Sequence, residues 1–233
     1  MSDLLNINNG FLEVANGNLE GCSAVHLFGF NRLVGITYET IFNDGGGLYS
    51  FPSSAVQMSA VSSSTDTMDL RITGLDANWD VISEDITLTG TTAVTTTQSF
   101  LRINDARILT GSNAGNITIS NGGTTYAYIE AEYGVHQAAI YSVPRGGKLF
   151  IKQVEFTSGT LSSNKYITAR ACMNQSSGAE FHFFETTFVT SQLSYRLDIP
   201  FLVPEKTDFS LEGKSSAQEN ELSIYIAALL AID

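Results

Sequence analysis

The chain has 233 residues and a formal net charge of −12, enough length for one large β domain or two of ordinary size. Charged residues make up 15% of it, against roughly 25% in a typical soluble protein, so its polar surface has to come from Ser, Thr, Asn and Gly, as suits an oligomer or lattice component. No basic run is present, and without clustered Lys and Arg a phosphate backbone is a poor partner, so nucleic-acid binding is not expected.

The charge imbalance sits early: residues 1–140 hold four Lys/Arg against fourteen Asp/Glu, and residues 141–233 hold eight against ten. The opening MSDLLNINNG has neither a positive region nor a long apolar stretch, so no signal peptide or membrane anchor is expected there. Residues 1–22 mix Asn and Gly with scattered Leu and Phe. They read as an irregular arm, too poor in apolar residues to order except against a neighbouring chain. Cys22 and Cys172 read as two buried thiols, with a single disulfide between the halves as the alternative.

From Ser23, alternation predicts strands at SAVHLFGF and TYETIF, a turn at NDGGG (43–47), then strands at AVQMSAV and TMDLRIT, the last placing Met68, Leu70 and Ile72 on one face. Asp76–Trp79 is a hairpin tip from which DVISEDITL returns, and TQSFLRI, ARILT, NITIS and TTYAYIEA follow. Such spacing, about 8–12 residues per strand, suggests a sandwich or barrel. Past Glu130–Gly134 the strands lengthen and become more aromatic: HQAAIYSV, KLFIKQVEFT, KYITARACM, EFHFFETTFV, YRLDIPF, DFSLEG and ELSIYIAALLAI. In YRLDIPF, alternation sends Tyr195, Leu197, Ile199 and Phe201 one way and Arg196 and Asp198 the other, while Pro200 and Pro204 mark a strand end or edge. The last run is apolar on both faces, as in a central strand covered on both sides or a strand whose outer face meets another subunit; a helix over IAALLAI is the minor alternative. The expected fold is all-β, with an arm at 1–22, an acidic β-sandwich at 23–132 and a jelly-roll-like β-sandwich at 133–233.

No catalytic, cofactor or metal site is expected. Asp76, Asn78 and Asp80 match the first three ligand positions of a calcium loop, but Val81 stands where that loop needs Gly and Thr87 where it needs Glu. A plain turn capped by Asp and Asn accounts for the tetrapeptide. Asp44–Gly47 is Gly-rich but lacks the ending and helix of a phosphate cradle. His26, His136 and His182 have no second His or Cys at ligand spacing. Glu84 and Asp85 are adjacent, hence on opposite sheet faces, and there is no nucleophile elbow. Trp79, with Tyr126 and Tyr128, is the little the chain offers toward a sugar-binding platform.

Several stretches carry a family resemblance: AVHLFGFN (24–31), ETIFNDGGGLYSFPSSA (39–55), residues 72–111, YSVPRGGKLFIKQVEF (141–156) and IPFLVPEKTDFSL (199–211). In these strand-and-turn patterns, running in order across most of its length, the chain resembles virion structural proteins of tailed bacteriophages, especially phages of marine and freshwater bacteria. The resemblance implies a particle component and supplies no active-site residues. It leads to the expectation of a non-enzymatic capsid decoration or cement protein, without cofactor, that stabilises the head by binding the major capsid protein or other virion proteins. A homo-oligomer, with a trimer as first guess, would be assembled in the host cytoplasm and reside in the virion, touching no membrane and no nucleic acid. The alternatives are a neck, tail or tail-fibre component and, in another class, a receptor- or carbohydrate-binding module.

Overall fold

Alternating apolar side chains build antiparallel sheets almost throughout the computed structural model, which describes residues 12–159, 165–217 and 220–232. The strands are β1 (Cys22–Val34), β2 (Glu39–Thr40), β3 (Val56–Ser62), β4 (Asp69–Leu75), β5 (Val81–Thr87), β6 (Val94–Phe100), β7 (Arg102–Ile108), β8 (Ile117–Asn121) and β9 (Thr124–Ile129). They continue with β10 (Ile140–Ser142), β11 (Gly147–Ser158), β12 (Ile167–Gln175), β13 (Glu180–Phe188), β14 (Gln192–Val203), β15 (Thr207–Ser215) and β16 (Asn220–Ile232). Among the described residues no helix is long and apolar enough to cross a membrane.

Two sandwiches result. The larger stacks the sheet β1-β16-β11-β14 on the sheet β10-β15-β12-β13, with β2 also on β15. Its core includes Val34, Ile41, Leu149, Phe156, Ile167, Phe209, Leu222, Ile224 and Ile226. The smaller pairs β6-β3-β8-β9 with β5-β4-β7 around Met58, Leu70, Ile72, Phe100, Ile117 and Ile119. The smaller unit is an insertion between β2 and β10. This corrects the boundary expected at residue 23: β1 does not join the N-terminal strands but lies beside β16, from Cys22 opposite Ala231 to Val34 opposite Asn220. Sequence patterning cannot show this, because alternation specifies which face of β1 is apolar and not which partner, nearly two hundred residues away, completes its ladder.

Strand boundaries differ in one instructive place. A break expected around Asn104 and Asp105 falls instead at Leu101, between β6 and β7. Asn104 exchanges two hydrogen bonds with the backbone of Ser142, each 2.8 Å. A tertiary partner thus holds in a strand a residue whose local preference is a turn.

β16 is buried on one face and half-buried on the other. Leu222, Ile224, Ile226 and Leu230 enter the core, while Leu12, Val14 and Ala15 line a pocket with Ala227, Ala228 and Leu229. Residues 12–15 form one helical turn with Val14 buried. This part of the expected arm is therefore ordered against its own chain, a correction to the expectation that a neighbour is needed. Residues 1–11 of that arm lie outside the described residues.

The smaller sandwich is pinned by buried Asp66, whose carboxylate accepts from the Ser62 hydroxyl (2.6 Å) and the N–H groups of Ala114 (2.8 Å) and Gly115 (2.9 Å). Burial works against the charge, but these three donors outweigh it and hold the carboxyl below its usual range. The resulting stabilisation is present above the unfolded-state value near pH ~3.9 and is lost as pH falls through the lower folded-state value. Asp66→Asn turns a donor toward donors and is expected to cost about 2–3 kcal/mol at neutral pH. Urea titrations across pH check this: the deficit against the wild type should narrow below pH ~4.

Candidate functional site

The surface most suited to a molecular role lies where the larger sandwich ends. β14 closes one of its sheets and β13 the other, and between them sits an apolar cavity of about 190 Å³ lined by residues including Ile151, Val154, Tyr195 and Phe201. Ring contacts span the seam. Phe183 stacks on Phe201 with centroids 4.1 Å apart and planes 2° from parallel, and Phe184 meets Tyr195 edge-on at 5.1 Å. The Tyr195 hydroxyl shares a hydrogen bond with Thr186 Oγ1 at 2.8 Å.

Beyond the rings, large apolar side chains stand in solvent. Ile199 is 86% exposed and Val189 69%, with Phe181 and Leu202 also exposed. Ile199 departs from the face expected to be shared with Tyr195, Leu197 and Phe201 for a definite reason. Opposite β11, the pairing passes from Arg196–Gln153 to Phe201–Ile151, so four residues of β14 face one residue of its partner. Pro200 has no N–H to give the ladder, and the bulge throws Ile199 outward while Tyr195, Leu197 and Phe201 stay in the cavity wall.

The residues singled out in sequence are held by other tasks. Asp76 Oδ1 accepts from the N–H groups of Asn78 (2.8 Å) and Asp80 (2.9 Å), and Asp80 Oδ1 lies 2.8 Å from Arg145 Nη2. The burial of Asp76 opposes its charge, yet these bonds, with Arg145 nearby, hold its pKa below the usual value. The three residues cap their own turn. Trp79 has φ of +67°, costly for a bulky side chain, and is buried with Leu75 and Leu101. It is no sugar platform, and Tyr126 likewise lies edge-on to Tyr49 at 6.3 Å. Glu84 caps Thr97 and Gln98, while Asp85 holds Arg71, so the adjacent carboxylates serve different neighbours. His26 Nδ1 is bonded to the Tyr225 hydroxyl (2.8 Å). His136 Nδ1 accepts from the N–H of Tyr128 (3.2 Å), and burial lowers its pKa.

Two groupings were invisible in sequence. The first joins the sandwiches: Arg102 of β7 makes a two-pronged pair with Asp208 of β15, at 2.7 and 2.8 Å, and stacks 4.9 Å from the rings of both Phe51 and Trp79. The second lies on the outer face of a larger-sandwich sheet, where Cys172, His182 and Glu212 bring ligand atoms within 4.8 Å of one another. Packing of one sandwich on the other makes the first, and strand pairing makes the second. As a nucleophile Cys172 is unsuited: it is buried, and burial, with Glu212 close by, pushes its thiol up to about 12, whereas reactive thiols are depressed.

No family model matches the chain, and no curated protein matches it. Among solved structures, the infectious bursal disease virus VP2 subviral particle is 10% identical over 91% of this chain and 76% of that one, with a TM-score of 0.22. The structure of the infectious bursal disease virus Gt strain is 10% identical over 92% and 77%, with a TM-score of 0.21. Likenesses this slight carry no argument about what the chain does.

Proposed function

We propose that the chain is a non-enzymatic structural subunit of a virion, a bacteriophage capsid decoration or cement protein that works by adhesion. The observation that carries the reading is the exposed apolar edge at β13 and β14, where both sheets of the larger sandwich end and Ile199, Val189, Phe181 and Leu202 face solvent. Unpaired edges and large exposed apolar groups are liabilities in a free protein and are useful where a neighbour covers them.

The strand order supports it. Numbering β1 and β10–β16 one to eight, the sheets run 1-8-3-6 and 2-7-4-5. We read this as a jelly roll, two Greek keys wound together, an arrangement found in capsid and lectin domains; a fold by itself does not assign a function. Bound copies would bury the apolar edge against neighbouring subunits of a homo-oligomer, first guess a trimer, and against the major capsid protein, adding association free energy to the shell. Residues 56–129 carry seven Asp/Glu against three Arg, so the smaller sandwich would face away from packaged DNA, whose charge has the same sign.

Ile199→Glu is expected to lower self-association at least tenfold, measured by light scattering across a concentration series, with the far-ultraviolet circular dichroism unchanged. A wild-type chain that stays monomeric at all concentrations and touches no copy of itself in a particle reconstruction would defeat the oligomer. Antibody label confined to the tail or its attachment vertex would replace the decoration role by the neck or tail alternative.

A further inference from the structure

We propose that Cys172, His182 and Glu212 form a binding site for a zinc-class divalent transition-metal cation, one that ties three strands of the larger sandwich together. The donor set is a thiolate, an imidazole and a carboxylate, the types that such cations take, with a fourth tetrahedral position left for water.

The topology makes the cluster. Cys172 stands opposite His182 across the β12–β13 pair, at the point where a bulge after Ala171 shifts the register. β15 runs along the other side of β12 with Ser210 opposite Cys172, so Glu212 lies one diagonal step away on the same face. The three ligand atoms lie within 4.8 Å of one another. Zinc-to-ligand bonds of about 2.0–2.3 Å at tetrahedral angles set neighbouring ligand atoms about 3.5 Å apart. Closing the difference takes about an ångström. His182, the exposed member, supplies both that movement and the way in from solvent, while Cys172 and Glu212 are buried on the two inner strands.

The surroundings resemble the outer shell of a metal site. Arg170 places both Nε and Nη2 on the same oxygen of Glu212, Oε2, each at 2.6 Å, which orients the carboxylate and leaves its Oε1 outside that ion pair. The guanidinium is itself clamped 3.8 Å from the Tyr38 ring. Glu180 Oε1 lies 3.4 Å from His182 Nε2, a carboxylate–imidazole contact of the kind that fixes a ligating ring. Binding replaces the S–H bond of Cys172 with a metal–sulfur bond and releases the proton to solvent, with no change of oxidation state. The consequence is mechanical. β13 is an edge strand whose backbone ladder, among the described residues, is with β12, and the cation adds a further attachment to it.

The test is a cobalt titration of the full chain after chelator treatment, followed through the near-ultraviolet thiolate-to-cobalt band and the visible d–d bands of tetrahedral Co²⁺. One equivalent is expected to bind and to be displaced by Zn²⁺. Cys172→Ser should abolish the thiolate band, Cys22→Ser should retain it, and His182→Ala, at an exposed position where folding is not at stake, should weaken binding at least tenfold. Absence of a thiolate band in the wild type at millimolar cobalt overturns the proposal, as does a band that survives Cys172→Ser. The readout is independent of particle binding, so it stands or fails separately from the decoration role.

Discussion

Arg102→Ala is expected to destabilise the protein by about 3–5 kcal/mol, the range for removing one partner of a buried ion pair. The Arg102 and Asp208 side chains are only 11% and 7% exposed. The substitution leaves the Asp208 carboxylate with one side-chain donor among the described contacts, the Ser142 hydroxyl at 2.6 Å. It also strips donors from the carbonyls of Pro52 (2.9 Å) and Leu101 (2.7 Å) and the cation from between Phe51 and Trp79. Arg102→Lys keeps the charge but not the planar fork, so an intermediate loss is expected. Since the pair joins the two sandwiches, the readout can separate junction from fold. Trp79 is the chain's single tryptophan and sits at that junction, so its fluorescence should change at lower urea than the circular dichroism does in Arg102→Ala. Coincident transitions with a loss under about 1 kcal/mol would show that the pair is no more than a surface contact.

Gly74→Ala is the second large effect. A Cβ at Gly74 would lie 2.0 Å from the Arg102 carbonyl oxygen and 3.0 Å from its carbon. Overpacking usually costs about 1–3 kcal/mol because side chains shift to make room. Here the obstacle is backbone, and it belongs to the residue clamped to Asp208. The bulge between Thr73 and Gly74 in the β4–β7 pairing already accommodates this close approach. A loss above ~3 kcal/mol is therefore expected, seen as unfolding of the smaller sandwich at lower urea while the larger sandwich unfolds near its wild-type midpoint. A variant with wild-type midpoints throughout would mean that β4 and β7 can separate without cost.

What the sequence by itself determined is local. Period-two alternation, Gly and Asn/Asp turns and the lack of helical periodicity specified an all-β chain, because each acts within a few residues along the backbone. Met68, Leu70 and Ile72 share a face, Asp76–Trp79 is a turn, and the C-terminal run is a strand apolar on both sides, all legible before any partner is named. The pairing of β1 with β16 was not legible, nor the insertion of the smaller sandwich between β2 and β10. Alternation assigns faces to a strand and leaves its neighbours open. The same reason hid the Arg102–Asp208 clasp and the Cys172, His182 and Glu212 cluster, whose members sit on strands that meet only after folding. Strict alternation put Ile199 on one face with Tyr195, Leu197 and Phe201, and the bulge beside Pro200 separated it from them and turned it to solvent. Tertiary structure alone decided which side chains gather into sites, since that depends on sheet packing and on ladders closed between residues as far apart as Cys22 and Ala231.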